Sequence, residues 1–212
     1  MYTGITRGVF PIVGLEERAG AARLTVELSE SLAEGVELGA SISVDGVCLT
    51  VAALQGRRVS FDAIDETRKL TTLGELRLGR TVSVERSARA GDELGGHDVF
   101  GHVIGTGRVL ERQELGAQLD LTIGVPSDWM KYILHKGFIA LDGSSLTVDV
   151  VSAVGAGPTT ASFKVHLIPE TLRLTNFMHR HVGDRVNVEL DPRTVAIVDT
   201  VERIMAERYA TR

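Results

Sequence analysis

The apolar positions of this chain fall into short alternating or continuous runs, cut by Gly and Asp turns. Leu24–Leu28, Ser41–Val44, Cys48–Ala52, Arg58–Asp62 and Thr81–Glu85 have strand length and β-branched content. Val44-Asp45-Gly46-Val47 and Leu141-Asp142-Gly143-Ser144 read as hairpins, because Asp-Gly supplies the positive φ angles of a tight turn. Short helical pieces are expected at Ser29–Glu34, at Pro126–Tyr132 and around Glu66-Thr67 and Glu170-Thr171. Short strands at regular spacing predict a small barrel, which closes the sheet and removes its edges.

The pattern is written twice. Ser41-Ile-Ser-Val-Asp-Gly-Val-Cys-Leu-Thr-Val51 returns as Phe138-Ile-Ala-Leu-Asp-Gly-Ser-Ser-Leu-Thr-Val148, and Val82-Ser-Val-Glu85 returns as Val186-Asn-Val-Glu189. The offset grows from about 97 residues at the Asp-Gly pair to about 104 at the Glu-Thr pair. The second copy therefore carries a loop insertion, placed at the glycine-rich Val154–Thr160. Solenoid units run about 20–50 residues, so a period this long is a duplicated domain. Two tandem barrels are expected, joined near Gly95–His102, and two similar domains offer two similar pockets.

After Asp191-Pro192 the period changes to 3.6, with Val195, Val198, Val201, Ile204 and Met205 along one side. Asp191 suits an N-cap and Pro192 a first helical residue. The stripe needs a cover, either its own barrel or another copy of the chain. Boundaries are set at residues 1–97, 98–191 and 192–212.

At 212 residues with 43% hydrophobic and 24% charged content, the composition is that of a globular protein. A net charge of −5 and only short basic clusters, such as Arg57-Arg58, speak against a nucleic-acid partner. No apolar run approaches the roughly 18 residues that cross a bilayer, and no charged leader precedes an apolar core, so the chain reads as cytoplasmic. One cysteine makes neither an internal disulfide nor, alone, a thiolate zinc site.

Three features could carry chemistry. Alternation puts Cys48 and Thr50 on one strand face and Val47 and Leu49 on the other, with Ser145 and Thr147 at the equivalent places. If the apolar face packs on the core, the polar face points into the barrel mouth and can hydrogen-bond a polar heterocycle. The plainer reading has these hydroxyls satisfied by neighbouring backbone and Cys48 acting as a small buried hydrophobe. His97 and His102, in Gly95-Gly-His-Asp-Val-Phe-Gly-His102, are spaced poorly for a shared metal, and their glycines favour close approach by another group. The Glu-Thr motifs follow strand ends whose freed backbone groups make ligand edges.

Together these residues resemble the riboflavin synthase alpha-chain family. The likeness rests on Met1-Tyr-Thr-Gly-Ile5, Cys48-Leu-Thr-Val51, Val84-Glu-Arg86, Gly95-Gly-His97, Gly101-His102, Lys136-Gly137, Ser145-Leu-Thr-Val148 and Leu167-Ile-Pro-Glu-Thr-Leu172, and spans essentially the whole chain. It implies an all-β fold of two tandem six-stranded closed barrels plus a C-terminal helix, assembled as a homotrimer through those helices. It implies an enzyme that dismutates two molecules of 6,7-dimethyl-8-ribityllumazine to riboflavin and 5-amino-6-ribitylaminouracil, with no cofactor and no metal. The active site is implied between the first barrel of one subunit and the second barrel of the next.

By motif position the resemblance gives His102 as candidate base, Cys48 and Ser145 for addition or stabilisation, and Asp191 beside a developing cation. The substrate-contacting positions it implies are Tyr2, Gly4, Ile5, Thr6, Ser41, Cys48, Leu49, Thr50, Asp62, Ala63, Ile64, Asp65, Glu66 and Thr67 in and around the first copy. In the second stretch they are Gly101, His102, Val103, Lys136, Ser145, Leu146, Thr147, Ile168, Pro169, Glu170, Thr171, Leu172 and Arg173. Two departures stand out: Tyr2 replaces the family's usual Phe, so its hydroxyl needs a partner, and Ile104 replaces a common Asp. The alternative is a lumazine- or flavin-binding protein of the same fold that does no chemistry.

Overall fold

A computed structural model describes residues 1–153 and 161–210. Among these residues twelve strands form two closed antiparallel barrels. The first contains β1 (Val9–Arg18), β2 (Ala21–Glu27), β3 (Ser41–Val44), β4 (Val47–Gln55), β5 (Arg58–Ile64) and β6 (Thr81–Arg86). The second contains β7 (Gly105–Leu115), β8 (Gln118–Val125), β9 (Phe138–Leu141), β10 (Ser144–Ala153), β11 (Ala161–Leu167) and β12 (Arg185–Leu190). Around the wall the order is β1-β2-β5-β4-β3-β6, and the second barrel repeats it strand for strand. Even the irregularities are duplicated: β4 shifts register between Val51 and Ala53, and β10 between Val148 and Val151. The insertion expected at Val154–Thr160 lies outside the described residues.

Alternation decides what fills each barrel. Val47, Leu49 and Val51 are buried in the first core, and Leu146 and Val148 in the second. Each fully buried Val or Leu contributes about 1.5–3 kcal/mol relative to exposure. Cys48 and Ser145 are half-buried, and Thr50 and Thr147 are exposed. The polar face therefore lies on the outside of the wall, not in the barrel mouth as the pattern was read. The reason is size: the described apolar side chains fill the interior, so the polar ones are left on the outer surface.

A pseudo-two-fold relates the barrels. Tyr2 and Val99, 97 positions apart, form a bridge in which each N–H donates to the other's carbonyl, at 2.6 and 3.1 Å. The Asp45-Gly46 and Asp142-Gly143 turns take the expected positive φ angles of 45°, 80°, 44° and 83°. They also touch, since a Cβ on Gly46 would stand 2.4 Å from the Gly143 nitrogen. The segments flanking the bridge then cross over. The opening segment lies on β10 of the second barrel, with Gly4 O accepting from Ser145 N at 2.8 Å. The connection between the barrels lies on β4 of the first, with Gly101 O accepting from Cys48 N at 3.1 Å. Two buried carboxylates pin the crossing: Glu85 accepts from the Thr3 amide and hydroxyl, and Glu189 from the Phe100 and Gly101 amides. Burial pushes both acids above their ordinary range, and these donors pull the other way.

The short helices stand where expected. α1 (Glu30–Ala33) is capped by the Ser29 hydroxyl, and α2 (Asp65–Leu70) and α3 (Pro169–Leu174) carry the Glu-Thr motifs. Ser127–Tyr132 is a 3-10 helix. α4 (Pro192–Ala210) is capped by Asp191, whose carboxylate accepts from the Thr194 amide and hydroxyl. Its first three turns meet the barrel: Val195 packs on the second core, Asp199 accepts from the Tyr132 hydroxyl at 2.5 Å, and Glu202 accepts from Lys131 at 2.5 Å. Val201, Ile204 and Met205 nevertheless stay 54%, 44% and 46% exposed, so the helix does not fold back to cover its stripe.

Candidate functional site

The crossing segments build two equivalent faces, one on each barrel wall. On the first, Cys48, Leu49 and Thr50 of β4 lie beside Gly101–Val103, and a Cβ on Gly101 would meet the Cys48 Cβ at 2.5 Å. Ser41 pairs with Thr50 across β3 and β4. Val51 pairs with Phe61, and the antiparallel register carries Asp62, Ala63 and Ile64 past this end of β4 to Asp65, Glu66 and Thr67 of α2. His102 is exposed here, its ring tilted against Phe100 with centroids 6.1 Å apart. On the second face, Ser145, Leu146 and Thr147 lie beside Gly4, Ile5 and Thr6, and a Cβ on Gly4 would meet the Ser145 Cβ at 2.5 Å. Val148 pairs with Val165, and β11 runs on to Ile168, Pro169, Glu170, Thr171, Leu172 and Arg173. Ile64 and Ile168 are the matching exposed apolar residues, at 56% and 58%.

Several predicted site residues already have partners. Asp62 is held bidentately by Arg23 at 2.7 and 2.6 Å, and Glu170 by Arg173 at 2.9 and 2.6 Å. Lys136 adopts φ 61° where its counterpart is Gly39, and its Nζ donates to Asp149 at 3.1 Å. Asp191 serves as the helix cap. Tyr2 finds the partner its extra hydroxyl required: it donates to Cys48 Sγ at 3.1 Å, and burial with this bond raises its pKa. Ile104 donates its amide to Val188 O at 3.0 Å.

His97 is the residue that spacing did not single out. Its buried ring stacks on Phe138 at 5.1 Å, with Nδ1 2.6 Å from Ser145 Oγ. The Ser145 oxygen also accepts the His97 amide at 3.2 Å. Burial pushes His97 below its ordinary pKa, which favours the neutral ring. Nε2 is buried with no partner among the described residues. The signal was in the glycines: a Cβ at Gly96 would lie 2.2 Å from Thr3 O and 2.7 Å from the Ser145 Cβ. The segment is thus pressed onto the second barrel while His102, five residues on, is delivered to the first.

Comparison with known proteins matches this duplication. The lumazine binding domain family matches twice, over residues 3–87 and 100–191. Riboflavin synthase of Escherichia coli (strain K12) is 44% identical over 210 residues, covering 98% of this chain and 95% of that one. The chain belongs to the riboflavin synthase family. It is an enzyme of that family, similar also to riboflavin synthase of Brucella abortus (strain 2308), at 38% identity over 90% of this chain and 93% of that one. Among solved structures it resembles LumP complexed with riboflavin (TM-score 0.79, 27% identity) and LumP complexed with 6,7-dimethyl-8-(1'-D-ribityl) lumazine (TM-score 0.77, 25% identity). Both cover 90% of this chain, and the chain covers 100% and 99% of them respectively.

Beside the second face, this riboflavin synthase relative carries a charge cluster that the first lacks. His166 lies between Asp120 at 2.7 Å and Asp149 at 3.0 Å, where the first barrel has the Arg23–Asp62 pair. Hydrogen bonds to Asp120 and then Asp149 raise the His166 pKa, and His166 with Lys136 pulls Asp149 down to about 2. A raised histidine stabilises the fold fully below its unfolded value of about 6.5, and that contribution fades as pH rises through the folded value. In an NMR titration His166 should titrate above the ordinary histidine range, and Asp120→Asn with Asp149→Asn should bring it back. An unchanged midpoint in the double variant would remove the assigned cause.

Proposed function

We propose that the chain is a riboflavin synthase that converts two molecules of 6,7-dimethyl-8-ribityllumazine to riboflavin and 5-amino-6-ribitylaminouracil by transfer of a four-carbon unit. The atoms of the two substrates equal those of the two products, so the reaction needs no net oxidant or reductant. The observation that carries the reading is the pair of equivalent faces, each a Cys or Ser, an exposed Thr and an apolar Ile at matching positions. A reaction in which donor and acceptor are the same molecule requires such a pair. Holding two heterocycles face to face makes their encounter near-intramolecular, which can lower the barrier by about 7–11 kcal/mol.

In this reading the first face of one subunit stacks over the second face of the next, within a homotrimer whose α4 helices cover each other's apolar stripes. Each barrel face binds one lumazine, with residues 4–6 completing the second face and residues 101–103 the first, and Pro192–Ala210 forms the assembly helix. The exposed Ile64 and Ile168, and the uncovered Val201, Ile204 and Met205, support this arrangement. Ser145, with His97 as its acceptor, and His102 on the opposing face are the groups that take the C7 methyl proton of one lumazine and return protons to the other. Cys48 and Thr50 hydrogen-bond the ring on the first face, and Thr147 on the second. Asp191 favours a transient positive charge on His97 and also holds the helix start.

A lumazine carrier on this fold, of the kind the LumP likeness favours, needs only one working face. The full chain mixed with 6,7-dimethyl-8-ribityllumazine and no metal should show absorbance passing to riboflavin, one formed per two lumazines consumed. Tight binding without riboflavin would leave the carrier reading in its place.

A further inference from the structure

Away from both faces, a cavity of about 930 Å³ opens between the two barrels. Its walls are the link from Glu75 to Thr81 of the first barrel, the stretch from Asn176 to Arg185 of the second, and Arg108 of β7. No wall residue belongs to the faces around Cys48 and Ser145. We propose that this cavity binds a phosphorylated small molecule carrying a diphosphate group, a reading independent of the synthase assignment.

Five arginines reach the cavity in a chain whose net charge is −5. Glu75 is taken by Arg185 at 2.5 Å, and Asp184 accepts the His181 amide at 2.8 Å. Among the described residues Arg77, Arg80 and Arg108 have no carboxylate partner; Arg80 and Arg108 reach only the carbonyls of Glu75 and Gly183, at 3.5 and 2.8 Å. Three guanidiniums without a carboxylate partner line one concavity, and their fork geometry fits phosphate oxygens. The fourth observation is Arg180. It is 8% exposed and lines the cavity, with Nη2 donating to Asp142 at 2.6 Å and Nε unpartnered among the described residues. Its counterpart in the first copy is the buried Leu76, so the cation belongs to this cavity and not to the duplicated pattern. The volume lies at the upper end of the roughly 300–1,000 Å³ range of small-molecule sites. Flat rings are supplied only by His179 and His181, so the charge dominates recognition.

Because both barrels supply walls, an occupant ties them together and raises the melting temperature by mass action. The test is calorimetric titration of the full chain with inorganic pyrophosphate and with ADP at fixed ionic strength, with sulfate as control. Saturable binding of either probe, weakening steeply with salt and absent for sulfate, is expected. Arg77→Ala with Arg80→Ala should weaken it at least about tenfold, and the single variant Arg108→Gln should also weaken it. Conversion of the lumazine should be unchanged in both variants. No saturable binding of either probe, affinity unchanged in both variants, or displacement of the probe by 6,7-dimethyl-8-ribityllumazine would overturn the proposal. The last result would place the anion on the faces around Cys48 and Ser145.

Discussion

Asp142→Ala is expected to lower the free energy of unfolding by about 3–5 kcal/mol, and Asp45→Ala, at the equivalent position, by only about 1–2 kcal/mol. The two acids sit in touching turns, and each fixes a strand across its own barrel. Asp45 accepts the Ser83 amide at 2.7 Å, and Asp142 the Asn187 amide at 2.8 Å. Their second oxygens differ. Asp142 Oδ2 receives Arg180 at 2.6 Å, whereas Asp45 Oδ2 has no partner among the described residues, because Leu76 stands where Arg180 would. Removing Asp142 strands a buried guanidinium and a buried amide together. Removing Asp45 strands one amide and relieves a like charge. Burial and then the charge of Asp142 push Asp45 well above the carboxylate range, so ionising it in the fold is costly. That cost is absent below the ordinary carboxylate range and grows as pH rises toward the folded value, so Asp45→Asn should gain relative to the parent toward alkaline pH. Urea unfolding of the variants at two pH values measures both effects. Equal losses for Asp142→Ala and Asp45→Ala would mean that the arginine does not distinguish the turns.

Much of this architecture is legible in the residues because duplication makes the chain its own alignment. The Asp-Gly turns, the alternation in β4 and β10, and the α4 cap at Asp191-Pro192 all follow from local rules. Three things do not. Alternation separates two faces of a strand but not inside from outside, which depends on how closely the barrel closes around its own side chains; Cys48 and Ser145 therefore point outward. Histidine spacing does not tell which barrel receives each ring, because the pseudo-two-fold at Tyr2 and Val99 sends the segments across. The cation cluster is also invisible along the chain. Arg57 and Arg58, adjacent in sequence, both pair with Glu27, at 2.9 and 3.5 Å, while Arg77, Arg80 and Arg108 meet only after folding.

Ser145→Ala is expected to cut turnover about 10²-fold while leaving lumazine binding nearly unchanged, the lower end of what a positioned proton-transfer group supplies. Alanine keeps the Ser145 amide that donates to Gly4 O, so the crossing that builds the face survives. What disappears is the oxygen between the His97 amide and Nδ1, and with it the path by which a substrate proton reaches a neutral imidazole. His97→Gln should reproduce the loss, since glutamine can hold the serine hydroxyl but is not basic. Because burial keeps His97 below the ordinary histidine value, turnover in the parent should persist on acidification past about pH 6.5 before its acid limb falls. In His97→Gln that limb should vanish or move. A merely structural His97 would lower turnover without moving the limb. His102 lies exposed on the other face, tilted against Phe100 but with no ring hydrogen bond among the described residues, so His102→Gln should cost less. A larger loss there than in Ser145→Ala, with the acid limb following His102, would transfer the role of principal base to the first face.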